Sequence, residues 1–287
     1  MKHQIMTYYF IGIGGVGMSA LARLCLNQGN KVFGYDRDHT KLTDELESEG
    51  IPIIYKDTVE AMYSEVLEKQ TQIIYTAAVT EAHPQLNYFV KNKFSVKKRA
   101  LFMAELCNGK QTLAVAGTHG KTTTASLLAW LLDHNGLNPS FLIGGIPNNL
   151  GQGARFTDSD WFVIEGDEYD TAFFDKRSKF VHYLPEAVVI NNLEFDHADI
   201  FGSLAEIQTS FRRLINIVPR NGLLLANGDD DNIESLLSID HCPVRRFGLG
   251  INCDESAINL AYSANNSEFR LGETTFHIPM SGELNIR

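Results

Sequence analysis

Cysteine is scarce in this 287-residue chain: Cys25, Cys107, Cys242 and Cys253 are widely scattered and form no C-x-x-C pair. That spacing offers neither a zinc site nor a disulfide framework and reads as reduced thiols in a cytosolic protein. No apolar run approaches the roughly 18 residues of a membrane-spanning helix. Met1 to Thr7 is polar and the apolar stretch after it is broken by glycines, so no secretory leader is expected. Positive charge is also short. The formal net charge of -10 argues against a nucleic acid or an anionic membrane as partner. Internal repeats and low-complexity segments are lacking. With 44% hydrophobic and 21% charged residues the composition is that of an ordinary soluble globular protein, and the length suits two domains.

The most informative run present is AVAGTHGKTTTASLLAWLL, from Ala114 to Leu132. A short apolar strand, Leu113 to Ala116, ends in glycines and a lysine. A helix with Ala125, Leu128, Leu131 and Leu132 on its apolar face follows, and Gly136 is placed to stop it. Such a unit cradles phosphate: backbone N–H groups and the positive helix end face the anion, Lys121 reaches the outer phosphates, and Thr122 is placed to ligate Mg²⁺. Val115 stands where the standard P-loop has its first glycine, so this is the shortened form G-T-x-G-K-T-T. A purely structural turn needs neither Lys121 nor three successive threonines. The run predicts a nucleoside triphosphate site.

A second glycine loop follows the strand Tyr8 to Ile11. Gly12, Gly14 and Gly17 satisfy G-x-G-x-x-G, and Asp36 closes the next strand, KVFGYD, at the spacing of a ribose-binding acid. Three readings fit: a nicotinamide cofactor with dehydrogenase chemistry, another nucleotide diphosphate, or a ligand-free turn. The physics asks only that backbone N–H groups and a helix start meet a diphosphate. Two phosphate loops suggest two different nucleotides.

Acids gather beyond the P-loop. The strand WFVIE ends in Glu165, followed by Asp167, Glu168 and Asp170. An acid at the carboxyl end of a neighbouring strand holds Mg²⁺ in P-loop domains, because a hard cation prefers oxygen ligands. Glu165 is the best placed, and the others are equally readable as a solvated loop. His197, between Asp196 and Asp199 past the strand AVVINN, reads as a ligand or as a plain loop histidine. The group Asp175, Lys176, Arg177 and Lys179 reads as an anion clamp or an exposed charge run.

Strands and helices alternate, which favours parallel sheets covered by helices. IPIIY and QIIYTAA are further strands of the first half, with helices from about Thr40 to Glu49 and before QIIY. The chain turns polar near Asn108 to Gln111, the expected domain boundary. SFLIGG, WFVIE, AVVINN and GLLLANGD are strands of the second half, with a helix near Leu204 to Ile217. The tail from Val244 to Met280 reads as a small antiparallel extension.

In order along the chain, GIGGVGMSALA, AGTHGKTTT, EGDEYD, NNLEFDHADIF and the terminal GELN resemble the Mur ligases of peptidoglycan assembly. The resemblance implies an α/β fold: a Rossmann-like parallel-sheet domain over 1–108, which binds the UDP-sugar, then a P-loop ATP-binding domain over 109–287 with the small antiparallel extension. It implies an ATP-dependent amide-forming ligase acting on UDP-N-acetylmuramate through an acyl phosphate, with a cytoplasmic location and no nucleic acid or membrane insertion. The partners are that UDP-sugar and an amino acid or peptide amine. GIGGVGMSALA and GYDRDHTKLTDELESEGI look most like the branch that attaches L-alanine. The stretch FVIEGDEYDTAFFDKRSKFVHYLPEAVVINNLEFDHADIF looks like the branch that attaches L-alanyl-γ-D-glutamyl-diaminopimelate, and it carries more weight because it surrounds the reaction centre.

By the same resemblance Gly14, Gly15, Val16, Gly17, Met18 and Ser19 meet the diphosphate, with Asp36, Thr76 and Ala77 near the nucleoside. MgATP is held by Thr118, His119, Gly120, Lys121, Thr122 and Thr123. Thr122, Glu165 and His197 take the metal, and Lys121, Glu165 and His197 serve the chemistry. Asn285 falls where the family contacts adenine, with Leu284 in place of the usual histidine. Several members add a carbamylated lysine beyond the histidine; the region here reads SFRRL, with Arg212 and Arg213, an absence both branches share. A third family domain is expected after residue 287, and a chain without it is expected to bind the UDP-sugar, bind ATP weakly and form little amide.

Overall fold

The computed structural model describes residues 5–80, 82–166, 178–195 and 201–286. Strand β1 (Thr7–Ile11) is apolar on both faces, and that places it at the centre of a sheet. Phe10 enters one buried cluster with Met18, Leu21, Ile74 and Phe102, while Tyr9 and Ile11 enter another with Phe33, Leu86 and Phe89. Burial on both faces is the mark of a parallel strand covered by helices. After β1 come α1 (Val16–Asn27), β2 (Lys31–Tyr35), α2 (Lys41–Ser48), β3 (Ile53–Ile54), β4 (Gln72–Tyr75), α3 (Pro84–Lys91), β5 (Ser95–Lys98) and α4 (Arg99–Cys107). The five strands run parallel in the order β3-β2-β1-β4-β5. A reciprocal cap between Thr40 and Thr43 starts α2.

Two local expectations are corrected. IPIIY contributes only Ile53–Ile54 to the sheet. The helix expected before QIIY is two 3₁₀ turns, Val59–Ala61 and Ser64–Leu67. Met62, between them, has extended backbone, and this break lets both Met62 and Val66 reach the core.

The second sheet is built from β6 (Gln111–Ala116), α5 (Lys121–His134), β7 (Ser140–Leu142), β8 (Ala154–Arg155), β9 (Trp161–Glu165), β10 (Ala187–Ile190), α6 (Leu204–Asn216), β11 (Leu223–Asn227), α7 (Asp231–Glu234), β12 (Val244–Gly248) and β13 (Glu255–Ser256). Its order is β13-β12-β11-β10-β6-β9-β7-β8, parallel except where β8 pairs with β7. Helix α6 buries Ile207, Phe211, Leu214 and Ile215, the one-sided spacing of a helix laid on a sheet. Leu131, counted on the apolar face of α5, is instead 43% exposed. The tail also differs from expectation. Val244 to Ser256 continues the parallel sheet as β12 and the edge strand β13, a continuation hidden in the sequence by the charged pair Arg245 and Arg246. Only β14 (Ile258–Tyr262), β15 (Ser267–Leu271) and β16 (Thr274–Ile278) form the antiparallel extension. The α/β class with parallel sheets is as the sequence implies.

One buried cluster runs from Phe10 through Phe102, Met103 and Cys107 of α4 to Phe180 and Phe211, so α4 packs against both halves. Phe10 is fully buried and its ring meets Phe102 edge-on at 6.4 Å. Phe10→Ala is expected to cost about 3–5 kcal/mol in urea unfolding, while Val90→Ala, at a site 57% exposed, changes stability by less than about 0.5 kcal/mol. Equal effects would contradict this placement of the core.

Candidate functional site

The loop between β6 and α5 is hung from the end of the neighbouring strand β10. Asn192 carries most of the load: its Oδ1 accepts from His119 N at 2.7 Å, its Nδ2 donates to His119 O at 3.2 Å, and its backbone O accepts from Thr118 N at 3.0 Å. Asn191 adds a donor to Thr124 Oγ1 at 3.0 Å, and its own carbonyl accepts from Asn227 Nδ2 at 2.8 Å. Thr118 Oγ1 accepts from Glu194 N at 2.9 Å. Gly120, the N-cap of α5, has φ +79°, a left-handed conformation that costs other residues about 1–2 kcal/mol. Lys121 Nζ donates to Gly117 O at 2.6 Å and Thr118 O at 3.2 Å, so its cation stands over the loop.

Glu165 reaches the same place from β9. The register sets Glu165 beside Val115, one residue before the end of β6. Its Oε1 accepts from Gly144 N at 2.7 Å, and a Cβ on the adjacent Gly145 would stand 3.3 Å from Thr122 Cγ2. Thr122 and Glu165 therefore flank one glycine turn. A hydroxyl and a carboxylate are the oxygen donors that Mg²⁺ takes, so the pair fits that ion. His197 lies outside the described residues, as do Asp167, Glu168, Asp170, Asp175, Lys176, Arg177, Asp196, Asp199 and the side chain of Lys179. Thr123 follows Thr122 in the exposed first turn of α5.

The first glycine loop opens onto a crevice of about 510 Å³ at the carboxyl edge of the first sheet, lined by Gly12, Gly15, Asp36, Thr76 and His83 among others. The crevice lies where β1 meets β4 and the strand order reverses, the usual ligand position of open parallel sheets. Asp36 Oδ2 accepts from Gly14 N at 2.6 Å and its Oδ1 from Asp38 N at 3.2 Å, so the acid is built into the loop. Gly15 is the N-cap of α1, Val16 is 56% exposed beside it, and Ala77 is exposed after β4. Met18 and Ser19 are buried. The Met18 side chain belongs to the core and Ser19 Oγ donates to Val16 O at 2.9 Å, so neither side chain faces the crevice. Gly17 packs against the Arg99 guanidinium. Asn285 is exposed on the turn after β16, its amide donating to Ser281 O at 2.8 Å.

Several residues of these sites carry no marker in the local sequence. Asn191 and Asn192 read only as the end of a strand, and Arg99 as the last of three cations; their roles come from chain segments far away. His83 caps α3, its Nδ1 accepting from Leu86 N at 3.5 Å, and its ring meets Tyr35 at 4.8 Å. Burial lowers the imidazole pKa, with Asp57 opposing the shift. The four cysteines are free, and burial pushes the Cys25 and Cys107 thiols up to about 12, which leaves them protonated and unreactive at neutral pH. Among the described residues, no helix is long and apolar enough to cross a membrane.

Comparison with known proteins extends these observations to whole chains. A model of the Mur ligase family, catalytic domain, matches residues 7–111, and a model of the Mur ligase middle domain matches residues 115–287. The UDP-N-acetylmuramate–L-alanyl-γ-D-glutamyl-meso-2,6-diaminoheptandioate ligase of Haemophilus influenzae is 39% identical over 83% of this chain and 51% of its own length. The UDP-N-acetylmuramate–L-alanine ligase of Christiangramia forsetii is 36% identical over 98% of this chain and 57% of its own. A crystal structure of the tripeptide-type ligase from Neisseria meningitides superposes with a TM-score of 0.86 at 35% identity, covering 98% of this chain and 90% of that one. The alanine ligase structure from Thermotoga maritima, at 23% identity, shares the fold with a TM-score of 0.78 over 98% of this chain and 62% of that one. The chain spans about half the length of the curated relatives it matches.

The left-handed N-cap gives this site a direct check. Gly120→Ala is expected to lower stability by about 1–2 kcal/mol in chemical unfolding, with a further push on Asn191 Nδ2, 3.1 Å from the added Cβ. An unchanged unfolding midpoint would contradict the geometry of the loop.

Proposed function

The chain belongs to the Mur ligase family, and we propose that it holds the UDP-N-acetylmuramate and MgATP sites of an ATP-dependent amide-forming ligase. The observation that carries this is the convergence of Lys121, Thr122 and Glu165 on one braced phosphate loop, in a chain that has a second glycine-loop crevice. Residues 1–108 form the UDP-sugar domain and 109–287 the ATP domain. A dehydrogenase would leave the P-loop without a role.

The chemistry divides among this chain's residues as follows. Lys121 and the loop amides stabilise the negative charge that spreads over the transferring phosphoryl oxygens, and the start of α5 adds its positive end. Thr122 and Glu165 would hold Mg²⁺, which supplies charge neutralisation at the phosphates when bound, and the family resemblance makes His197 a further ligand. The muramyl lactyl carboxylate displaces ADP from the γ-phosphate, giving an acyl phosphate. The amine then attacks the acyl carbon, an amide C–N bond forms, and inorganic phosphate leaves. No side-chain nucleophile takes part. Asn192 and Asn191 act as positioning residues. On this reading the protein acts in the cytoplasm, as the family resemblance implies.

The amine is the L-alanyl-γ-D-glutamyl-diaminopimelate tripeptide. In support, the central segment resembles that branch, and the Neisseria meningitides structure of that name superposes over nearly the whole chain. The GIGGVGMSALA segment favours the second reading, L-alanine, and relatives of that name also match.

Titration with MgATP tests the ATP site. Lys121→Ala is expected to weaken MgATP binding about 10- to 100-fold, as loss of a charged hydrogen-bond donor does, with UDP-N-acetylmuramate affinity unchanged. Equal MgATP affinity in the two proteins would remove Lys121 from the site.

A further inference from the structure

We propose that Arg99 clamps the diphosphate of the bound UDP-sugar, an inference that rests on the substrate reading above. In the run that ends β5 and opens α4, Lys97 is paired with Glu105 at 2.8 Å and Lys98 stands over the Tyr75 ring at 5.7 Å. Arg99, which follows them at the start of α4, forms no hydrogen bond or ion pair among the described residues and is half-buried. Acids outnumber Lys and Arg by 35 to 25 in this chain, so counter-ions are plentiful. A guanidinium that loses water without gaining a partner is held at a cost, which a bound anion offsets.

Its position names the anion. The end of Arg99 lies against Gly17, in the first turn of α1, so closely that a Cβ there would overlap Nη1. Strands β1 and β5 are parallel members of one sheet, and the helices that follow them, α1 and α4, both pack on its Phe10 face. Both helices therefore begin at the same edge, and Arg99 stands beside the glycine loop. In a dinucleotide fingerprint the third glycine serves close helix–strand packing; here its missing side chain admits a guanidinium. On the other flank the Asp36 carboxylate holds Gly14 N and repels phosphate oxygens. Oxygens entering the loop settle on the Arg99 side, where the planar fork meets two of them at once.

Calorimetric titration of the whole chain with UDP, UDP-N-acetylglucosamine and UDP-N-acetylmuramate tests the assignment, with melting temperatures measured alongside. Arg99→Gln is expected to weaken all three about 10- to 100-fold and Arg99→Lys to fall between, because it keeps the charge and loses the fork. The melting temperature of Arg99→Gln does not fall, since the guanidinium has no protein partner to lose. Gly17→Ala displaces only the flexible end of Arg99; it folds, binds weakly, and adds nothing further in combination with Arg99→Gln. Unchanged affinity in Arg99→Gln, or a lower melting temperature alone, would reduce Arg99 to packing. A loss confined to UDP-N-acetylmuramate would overturn the diphosphate assignment in favour of the lactyl carboxylate. A wild-type chain that binds none of the three ligands would defeat the substrate reading itself, and the clamp with it.

Discussion

Parallel strands buried on both faces leave the chain one place to be polar and functional, their carboxyl edge. Tyr9, Phe10 and Ile11 in β1, and Ala114, Val115 and Ala116 at the end of β6, are at most 1% exposed. Nothing along these strands can touch a ligand. The first residues that can are the glycines immediately beyond, where the chain turns over the sheet and a helix begins. Each of the two parallel sheets therefore ends in one loop of the same design, a glycine turn that leads into a helix start. What differs is the company each loop keeps.

At the second sheet the company is supplied by the neighbouring strands. Strand β10 brings Asn191 and Asn192 under the loop, and β9 brings Glu165 beside it. The loop is held by these side chains, and Thr122 and Thr123 stay exposed at the start of α5. At the first sheet Asp36 is drawn onto Gly14 and Arg99 onto Gly17, one charge of each sign on either flank. Such a pair of flanks would orient the nucleotide proposed for this loop as well as bind it.

Much of this was legible in the sequence because it is local. The apolar runs of β1, β4, β6, β9 and β10 and the two glycine loops each lie within a few consecutive residues. Residues whose meaning depends on distant partners were not legible. Asn192 has to meet His119, 73 residues away, and Arg99 has to meet Gly17. Strand β12 was missed as part of the parallel sheet because β13 pairs only with its Phe247 and Gly248, and the uncovered start tolerates Arg245 and Arg246, which break the apolar pattern. The break at Met62 was hidden by an apolar spacing that suits a helix as well as two 3₁₀ turns.

The central claim is that the first crevice receives a UDP-sugar and not a nicotinamide cofactor. Parallel calorimetric titration of this chain with UDP-N-acetylmuramate and with NADH tests it most directly. The account requires micromolar binding of the UDP-sugar and none of NADH; binding of NADH alone would contradict it and make the first glycine loop a dinucleotide site.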